Sequence, residues 1–247
     1  LFKKEEEEPP SALTDYSGML VDFHNHVLPG IDDGSRNLDD SIAMLRNFQQ
    51  LGFKKIVASP HSMAEGYVNS TARILEKRDL VREAMAQHGI DILFDAAAEY
   101  YMDELFIQKI ETKDLLTVGK NYILMELSYL SKPQNPGEVI YKLQTAGYNL
   151  ILAHPERYPY YYEESFEQYK RFKDRGVYFQ INLGSLAGKY GAGAKYTAEK
   201  MINENMVEFA GSDLHNLGQF DTLRACLQSK HMEKLFNSDR FKNKTLL

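Results

Sequence analysis

Gly18-Met19-Leu20-Val21-Asp22-Phe23-His24-Asn25-His26 is a strand-like run that ends in two imidazoles. Residues two apart on a strand point to one face, so His24 and His26 point together. Two same-face histidines at a strand end are a ready pair of metal ligands. Both the fold and the chemistry depend on whether this pattern recurs along the chain.

It recurs. Short apolar runs lie near residues 19–23, 55–58, 91–97, 121–127, 149–153, 177–182 and 206–210, with helical patterns between them. Asn37 caps a helix to about Leu51, which Gly52 ends. Asn69 or Ser70 caps another to about Gln87, followed by Gly89. Asn135-Pro136 offers a cap with proline at the first helical position, and Gly147 closes that helix. A further helix runs from about Glu164 and stops before Gly176. Alternation with a period of about 30 residues means parallel strands joined by crossover helices. About seven such units predict a single α/β domain, a barrel more than an open sheet. Residues 1–17, with Lys3-Lys4, Glu5 to Glu8 and Pro9-Pro10, read as a flexible tail, so the domain is expected over 18–247.

Composition narrows the function. The chain has 247 residues, 43% hydrophobic and 26% charged, enough for one large α/β domain with a full core. No apolar run approaches the roughly 20 residues that span a bilayer. The net charge of -6 argues against a nucleic-acid surface, although bound metal ions could still reverse the local field for an anionic substrate. The lone Cys226 leaves no internal disulfide and fits a reducing cytosol. It sits in a helical stretch, and Met232 stands six residues on where a Cys-x5-Arg phosphate loop needs arginine. Cys226 therefore reads as a buried structural residue.

In such folds chemistry gathers at the C-terminal ends of the strands. Here those ends carry His24 and His26, then Asp32-Asp33-Gly34; Pro60-His61; Glu99; Glu126; His154; and Asp213-Leu214-His215. One such histidine is unremarkable, but a structural account of the whole set needs separate coincidences at six strand ends. His88 and His231 fall in helical or terminal segments and read as surface residues. Imidazoles and carboxylates without thiolates suit manganese, iron, zinc or magnesium, and the set exceeds one ion's needs. Asp33, Glu99, Glu126 and Asp213 bring about -4 if ionised; three divalent ions would leave about +2, a field that favours a phosphate dianion. Arg157 lies just past His154 and has a planar fork matched to phosphate oxygens, or else makes a surface ion pair with Glu156 or a neighbour. The run Tyr158-Pro159-Tyr160-Tyr161-Tyr162 reads equally as a stacking platform for an aromatic leaving group or as loop packing.

His24-x-His26, Pro60-His61, Glu99, His154 and Asp213-x-His215 together resemble the PHP (polymerase and histidinol phosphatase) superfamily. Asp33-Gly34, Glu99-Tyr100-Tyr101, Glu126-Leu127-Ser128, His154-Pro155-Glu156-Arg157-Tyr158 and Ser212-Asp213-Leu214-His215-Asn216-Leu217 resemble its bacterial capsule-type protein tyrosine phosphatases. The resemblance covers nearly all of the chain after residue 18. It implies a distorted (β/α)7 barrel holding three divalent ions, manganese foremost. By that analogy His24, His26, Glu99 and Asp213 hold one ion. Glu99 bridges to a second, held with Glu126 and His154, and Asp33, His61 and His215 hold the third. Arg157 would bind phosphate. The implied partner is a phosphotyrosine protein, a bacterial tyrosine kinase of capsule or exopolysaccharide export. That places the protein in the cytoplasm, at most peripherally at the membrane through the kinase. The sequence departs from some members at Ser62-Met63-Ala64-Glu65-Gly66, which lacks basic residues, and at Gly218-Gln219-Phe220, which lacks an arginine. A histidinol-phosphate or other small phosphomonoester phosphatase is the alternative reading, and a non-catalytic metal-binding module is a third.

Overall fold

The computed structural model describes residues 11–162 and 165–247. Strands β1 (Val21–Asp22), β2 (Lys55–Ala58), β3 (His61–Ser62), β4 (Leu93–Ala96), β5 (Glu99–Tyr101), β6 (Tyr122–Glu126), β7 (Asn149–Ala153), β8 (Tyr178–Asn182) and β9 (Phe209–Gly211) pair only in parallel. Helices α1 (Leu38–Gln50), α2 (Thr71–Gln87), α3 (Glu104–Thr112), α4 (Pro136–Thr145), α5 (Glu167–Asp174), α6 (Leu183–Leu186) and α7 (Ala192–Asn203) connect them. Helices α8 (Phe220–Cys226) and α9 (Lys230–Phe236) follow the last strand. Asn37 and Ser70 cap as expected, accepting from the Asp40 and Arg73 amides, and Pro136 opens α4 as expected, but Asn135 at its N-cap makes no side-chain bond to the turn.

The nine strands make seven staves. Two staves break near their ends, β2 from β3 at Ser59-Pro60 and β4 from β5 at Ala97-Ala98, so two sheets ordered β1-β2-β4 and β3-β5-β6-β7-β8-β9 follow one another. Hydrogen bonds from Ala97 N to Ala58 O and from Glu99 N to Pro60 O carry the ladder across the breaks. The ring closes where His26 N donates to Leu214 O and Asp213 N to His24 O. This is the distorted (β/α)7 barrel expected, in a single domain.

Alternation along the strands separates two cores. Val21, Phe23, Val57, Leu124, Ile151, Ala153 and Phe209 fill the barrel interior, and Leu246 packs with them. Ile56, Ala58, Ile123, Met125, Leu150 and Leu152 face the helices in a second, larger cluster. Beneath the closure, Asn243 accepts from Ala210 N and donates to Val21 O and Ala210 O.

Three expectations need correction. The tail does not extend to residue 17, because Tyr16 is fully buried, stacks on Phe53 and donates to Leu223 O. The rest of that expectation, over residues 1–10, lies outside the described residues. Helix α5 starts at Glu167, not near Glu164; residue 164 lies outside the described residues. His231 is buried and lies 3.6 Å from Glu199, whereas His88 is exposed as expected. Cys226 is buried, with its thiol directed at Leu183 O. Among the described residues no helix is long and apolar enough to cross a membrane.

Candidate metal and phosphate site

The barrel's C-terminal mouth brings all nine expected donors together. They fall into four overlapping groups: His26, Asp33, His61 and His215; His24, His26 and Asp213; His24, Glu99 and His154; His61, Glu99 and Glu126. Donor atoms within each group lie within 4.8 Å of one another, near the separation of two ligands across one ion with bonds of about 2.1 Å. Glu99 is the hub. Its Oε1 lies 3.1 Å from His24 Nε2 and 3.0 Å from His154 Nε2, and its Oε2 lies 3.2 Å from His61 Nδ1. His61 reaches both ways, with Nδ1 3.1 Å from Glu126 and Nε2 3.5 Å from Asp33.

Local backbone aims these groups. Ile151 and Ala153 face the barrel interior, so simple alternation would carry His154 outward. A left-handed backbone at His154 (φ 33°) turns it back over the mouth. Asp213 is left-handed as well (φ 49°). Such conformations are costly for non-glycine residues and concentrate at functional sites. Gly211 lets β9 approach the end of β1, since a Cβ there would come 2.5 Å from the His24 Cβ.

A layer behind the donors fixes their rings. His24 Nδ1 faces Gln180 Oε1 at 2.6 Å, and His26 Nδ1 faces Asp32 Oδ2 at 2.8 Å. His215 Nδ1 faces Asp213 O at 3.0 Å. Each of these rings therefore turns its Nε2 to the shared space. The buried atoms His24 Nε2, His26 Nε2, His61 Nδ1 and Glu99 Oε2 have no hydrogen-bond partner. Buried polar atoms are rarely left so. Four of them converging on one space, beside ionised carboxylates, fit divalent cations.

The electrostatics agree. Burial opposes charge on Glu99, yet His24, His61 and His154 hold its carboxyl well below the usual range. Asp213 is also held low, its burial outweighed by His24, His26, His215 and Arg157. In return, and against its own burial, His24 is lifted to about 9 by Glu99 and Asp213. His154 moves the other way, since burial and the Arg157 charge push it down to about 4 despite Glu99. The carboxylates draw in positive charge, either protons on imidazoles or cations that displace them.

The rim of the cavity, which encloses about 410 Å³, is aromatic and cationic. Arg157 Nη1 donates to Asp213 Oδ2 at 2.7 Å, and its guanidinium lies between the rings of Tyr190 (4.0 Å) and Tyr129 (4.7 Å). It does not pair with Glu156, whose buried carboxylate accepts from Asn182 N and Ser185 Oγ. Lys189 lines the same cavity, its ammonium 4.8 Å from the Tyr190 ring centroid. The tyrosine run is loop packing, with Tyr158 and Tyr161 buried and the Tyr158 and Tyr160 hydroxyls bonded to Ala153 O and Ser128 O. The rings that line the cavity are Tyr129 and Tyr190 instead.

The sequence reading did not single out Gln180, Asn182, Tyr129, Lys189 or Tyr190, and saw Asp32 only as part of a loop. Gln180-x-Asn182 left one signal, two polar residues on one face of an otherwise apolar strand run.

Comparison with known proteins accords with this site. A family profile described as "Capsular polysaccharide synthesis, CpsB/CapC" matches residues 20–244. Tyrosine-protein phosphatase YwqE of Bacillus subtilis is 31% identical over 199 residues, covering 80% of this chain and 78% of that protein. A putative tyrosine-protein phosphatase, CapC of Staphylococcus aureus, is 28% identical over the same shares. A structure from work on YwqE and Streptococcus pneumoniae CpsB, described there as "unique metal-dependent tyrosine phosphatases", superposes with a TM-score of 0.80. It is 29% identical and covers 92% of this chain and 90% of its own.

Proposed function

This chain belongs to the CpsB/CapC capsular polysaccharide synthesis family, and we propose that it is a metal-dependent protein tyrosine phosphatase. Its substrate is phosphotyrosine on a protein, a cytosolic bacterial tyrosine kinase of capsule or exopolysaccharide export. The observation that carries this reading is the convergence of buried, unpartnered imidazole and carboxylate atoms at the barrel mouth. His24, His26, Asp33, His61, Glu99, Glu126, His154, Asp213 and His215 would hold the ions, three in number with manganese favoured. Divalent ions bound there would supply Lewis acidity and lower the pKa of a bound water toward neutral pH.

The chain's own residues do the rest. Gln180 and Asp32 hold the His24 and His26 rings so that Nε2 faces inward. Lys189, a cavity cation within the field of Asp213 but in no direct ion pair among the described residues, is placed to meet a phosphoryl oxygen. Arg157 is held by Asp213 and two rings, so its fork is fixed before substrate arrives and needs little further ordering. Tyr129 and Tyr190, whose faces hold Arg157, give the cavity an aromatic wall beside the departing ring. A phenol of pKa about 10 leaves without strong acid assistance.

The test is turnover by purified protein with manganese, on a phosphotyrosine peptide and on histidinol phosphate, with elemental analysis alongside. Release of phosphate from the peptide, lost in His154→Ala, is expected. An intact peptide, or an unaltered His154→Ala variant, would end this reading.

A further inference from the structure

Asn182 stands at the N-cap of α6 with an extended backbone (φ -77°, ψ 127°), yet its side chain makes no bond to the turn that follows. Asparagine at this position normally accepts from the amide two or three residues on. Here those amides belong to Gly184 and Ser185. The side chain is turned the other way. Its Nδ2 donates to Asp213 Oδ2 at 2.6 Å, and its Oδ1 accepts from Gln180 Nε2 at 3.0 Å. Neither amide can be reversed. An ionised carboxylate only accepts, and Gln180 Nε2 also donates to the Ile181 carbonyl at 2.7 Å.

A residue from another segment closes the turn instead. Glu156, fully buried in the turn after β7, accepts on Oε1 from Asn182 N at 2.8 Å and from Ser185 Oγ at 2.7 Å. In an ordinary capping box the residue three on from the cap reaches back to the cap's amide. That residue is Ser185, whose hydroxyl is itself bound to Glu156. The Glu156 carboxylate thus does the work of the box from outside the helix, and the Asn182 side chain is left to Asp213.

Asp213 has need of that hold, because its backbone is left-handed (φ 49°). Its Oδ2 accepts from Asn182, from Arg157 at 2.7 Å and from the Tyr190 hydroxyl at 3.2 Å. Only Oδ1 then faces His24 and His26, at 3.5 and 3.4 Å. Arg157 and Tyr190 line the cavity that substrate enters, whereas Asn182 is fully buried behind it. Of the three bonds on Oδ2, the one from Asn182 is out of substrate's reach.

We propose that Glu156 is a positioning residue for Asp213: by closing the α6 turn in place of Asn182, it frees the Asn182 side chain to hold Asp213 with Oδ1 toward the ions. This rests on the metal reading of the mouth. Without Glu156, Asn182 turns to its own helix and Asp213 loses its buried donor. The experiment has two arms. In the first, the Asn182 side-chain amide is followed by NMR in metal-free, isotope-labelled protein. Glu156→Met, which fills the space without an acceptor, should shift that resonance and remove its protection from exchange. Glu156→Gln, which keeps an acceptor oxygen, should preserve both. An Asn182 amide unmoved in Glu156→Met, or moved as far in Glu156→Gln, overturns the proposal. Glu156→Ala is carried alongside with the same expectation, in case the Met variant does not fold. In the second arm, manganese affinity is measured by direct binding. Asn182→Ala should lower it about 10- to 100-fold and Glu156→Met about tenfold. The double variant should fall no further than Asn182→Ala alone, because both act through one bond. Additive losses would make Glu156 an independent support and overturn the proposal. Wild-type affinity in Asn182→Ala would overturn it as well. A wild-type protein that binds no manganese strikes the metal reading instead and leaves the first arm to decide this one.

Discussion

The floor of the cavity and its rim are built in opposite ways. His24, His26, Glu99 and His154 are at most 1% exposed and sit at strand ends, where sheet register and an inner hydrogen-bonded layer fix them. Tyr129, Lys189 and Tyr190 come from loops and Arg157 from a single 3-10 turn, held by ring contacts, the Asp213 carboxylate and the Tyr129 hydroxyl on His154. The floor is arranged for ions, whose ligand geometry tolerates little displacement. The rim is arranged for a substrate that must enter and leave. Asp213 joins them, since Oδ1 faces His24 and His26 while Oδ2 accepts from Arg157, Asn182 and Tyr190.

Breaking the floor has the largest expected effect. Glu99→Gln removes the charge shared by His24, His61 and His154, and should lower kcat on a phosphotyrosine peptide by about 10³-fold, with loss of bound metal. Chelation of the wild-type protein should match it, with manganese restoring the wild type and not the variant. Retained metal and kcat in Glu99→Gln would remove Glu99 from the centre of the floor.

The rim comes next. Lys189→Met should raise KM and lower kcat/KM by about 10²-fold while metal content stays at the wild-type level. Arg157→Ala separates two roles for the joint with the floor. Weaker inhibition by phosphate with metal unchanged makes Arg157 a substrate group, whereas falling metal content makes it a support for Asp213. Gln180→Ala should act more weakly, through His24. Metal affinity is expected to fall about 10- to 100-fold, with kcat recovered at saturating manganese. A kcat that stays low at saturation would place Gln180 in the chemistry itself.

Floor and rim also differed in what the sequence revealed. The nine donors stood out because each follows an apolar strand run, and parallel strands place their C-terminal ends together. The inner layer was quieter, because Gln180 and Asn182 lie inside a run that otherwise reads as plain core. Of the rim only Arg157 showed, because it follows the His154 strand end. Loops have no period, and nothing in Gly188-Lys189-Tyr190 foretells that it folds over Arg157. The turn of His154 into the mouth was equally hidden, since neither glycine nor asparagine marks its left-handed backbone. Tyr16 was lost in the tail because one aromatic residue beside an acidic, proline-containing leader makes no pattern, although Phe53 and Leu223 hold it in the core.

The smallest effect on turnover is expected beneath the floor, where Asn243 binds the ends of the ring together. Its side chain satisfies Val21 O, Ala210 N and Ala210 O, all buried between the first and last strands. Asn243→Ala leaves those backbone groups unpaired and should cost about 2–4 kcal/mol of stability, seen as a lower midpoint in urea. Yet the closing bonds between His24 and Asp213 and between His26 and Leu214 lie at the mouth, on the far side of the buried Phe23–Phe209 pair. The floor should therefore keep its geometry, with kcat within about twofold of wild type under conditions where the protein is folded. A loss of metal affinity beyond about tenfold would show that the floor takes its shape from the base of the barrel and not from its own mouth.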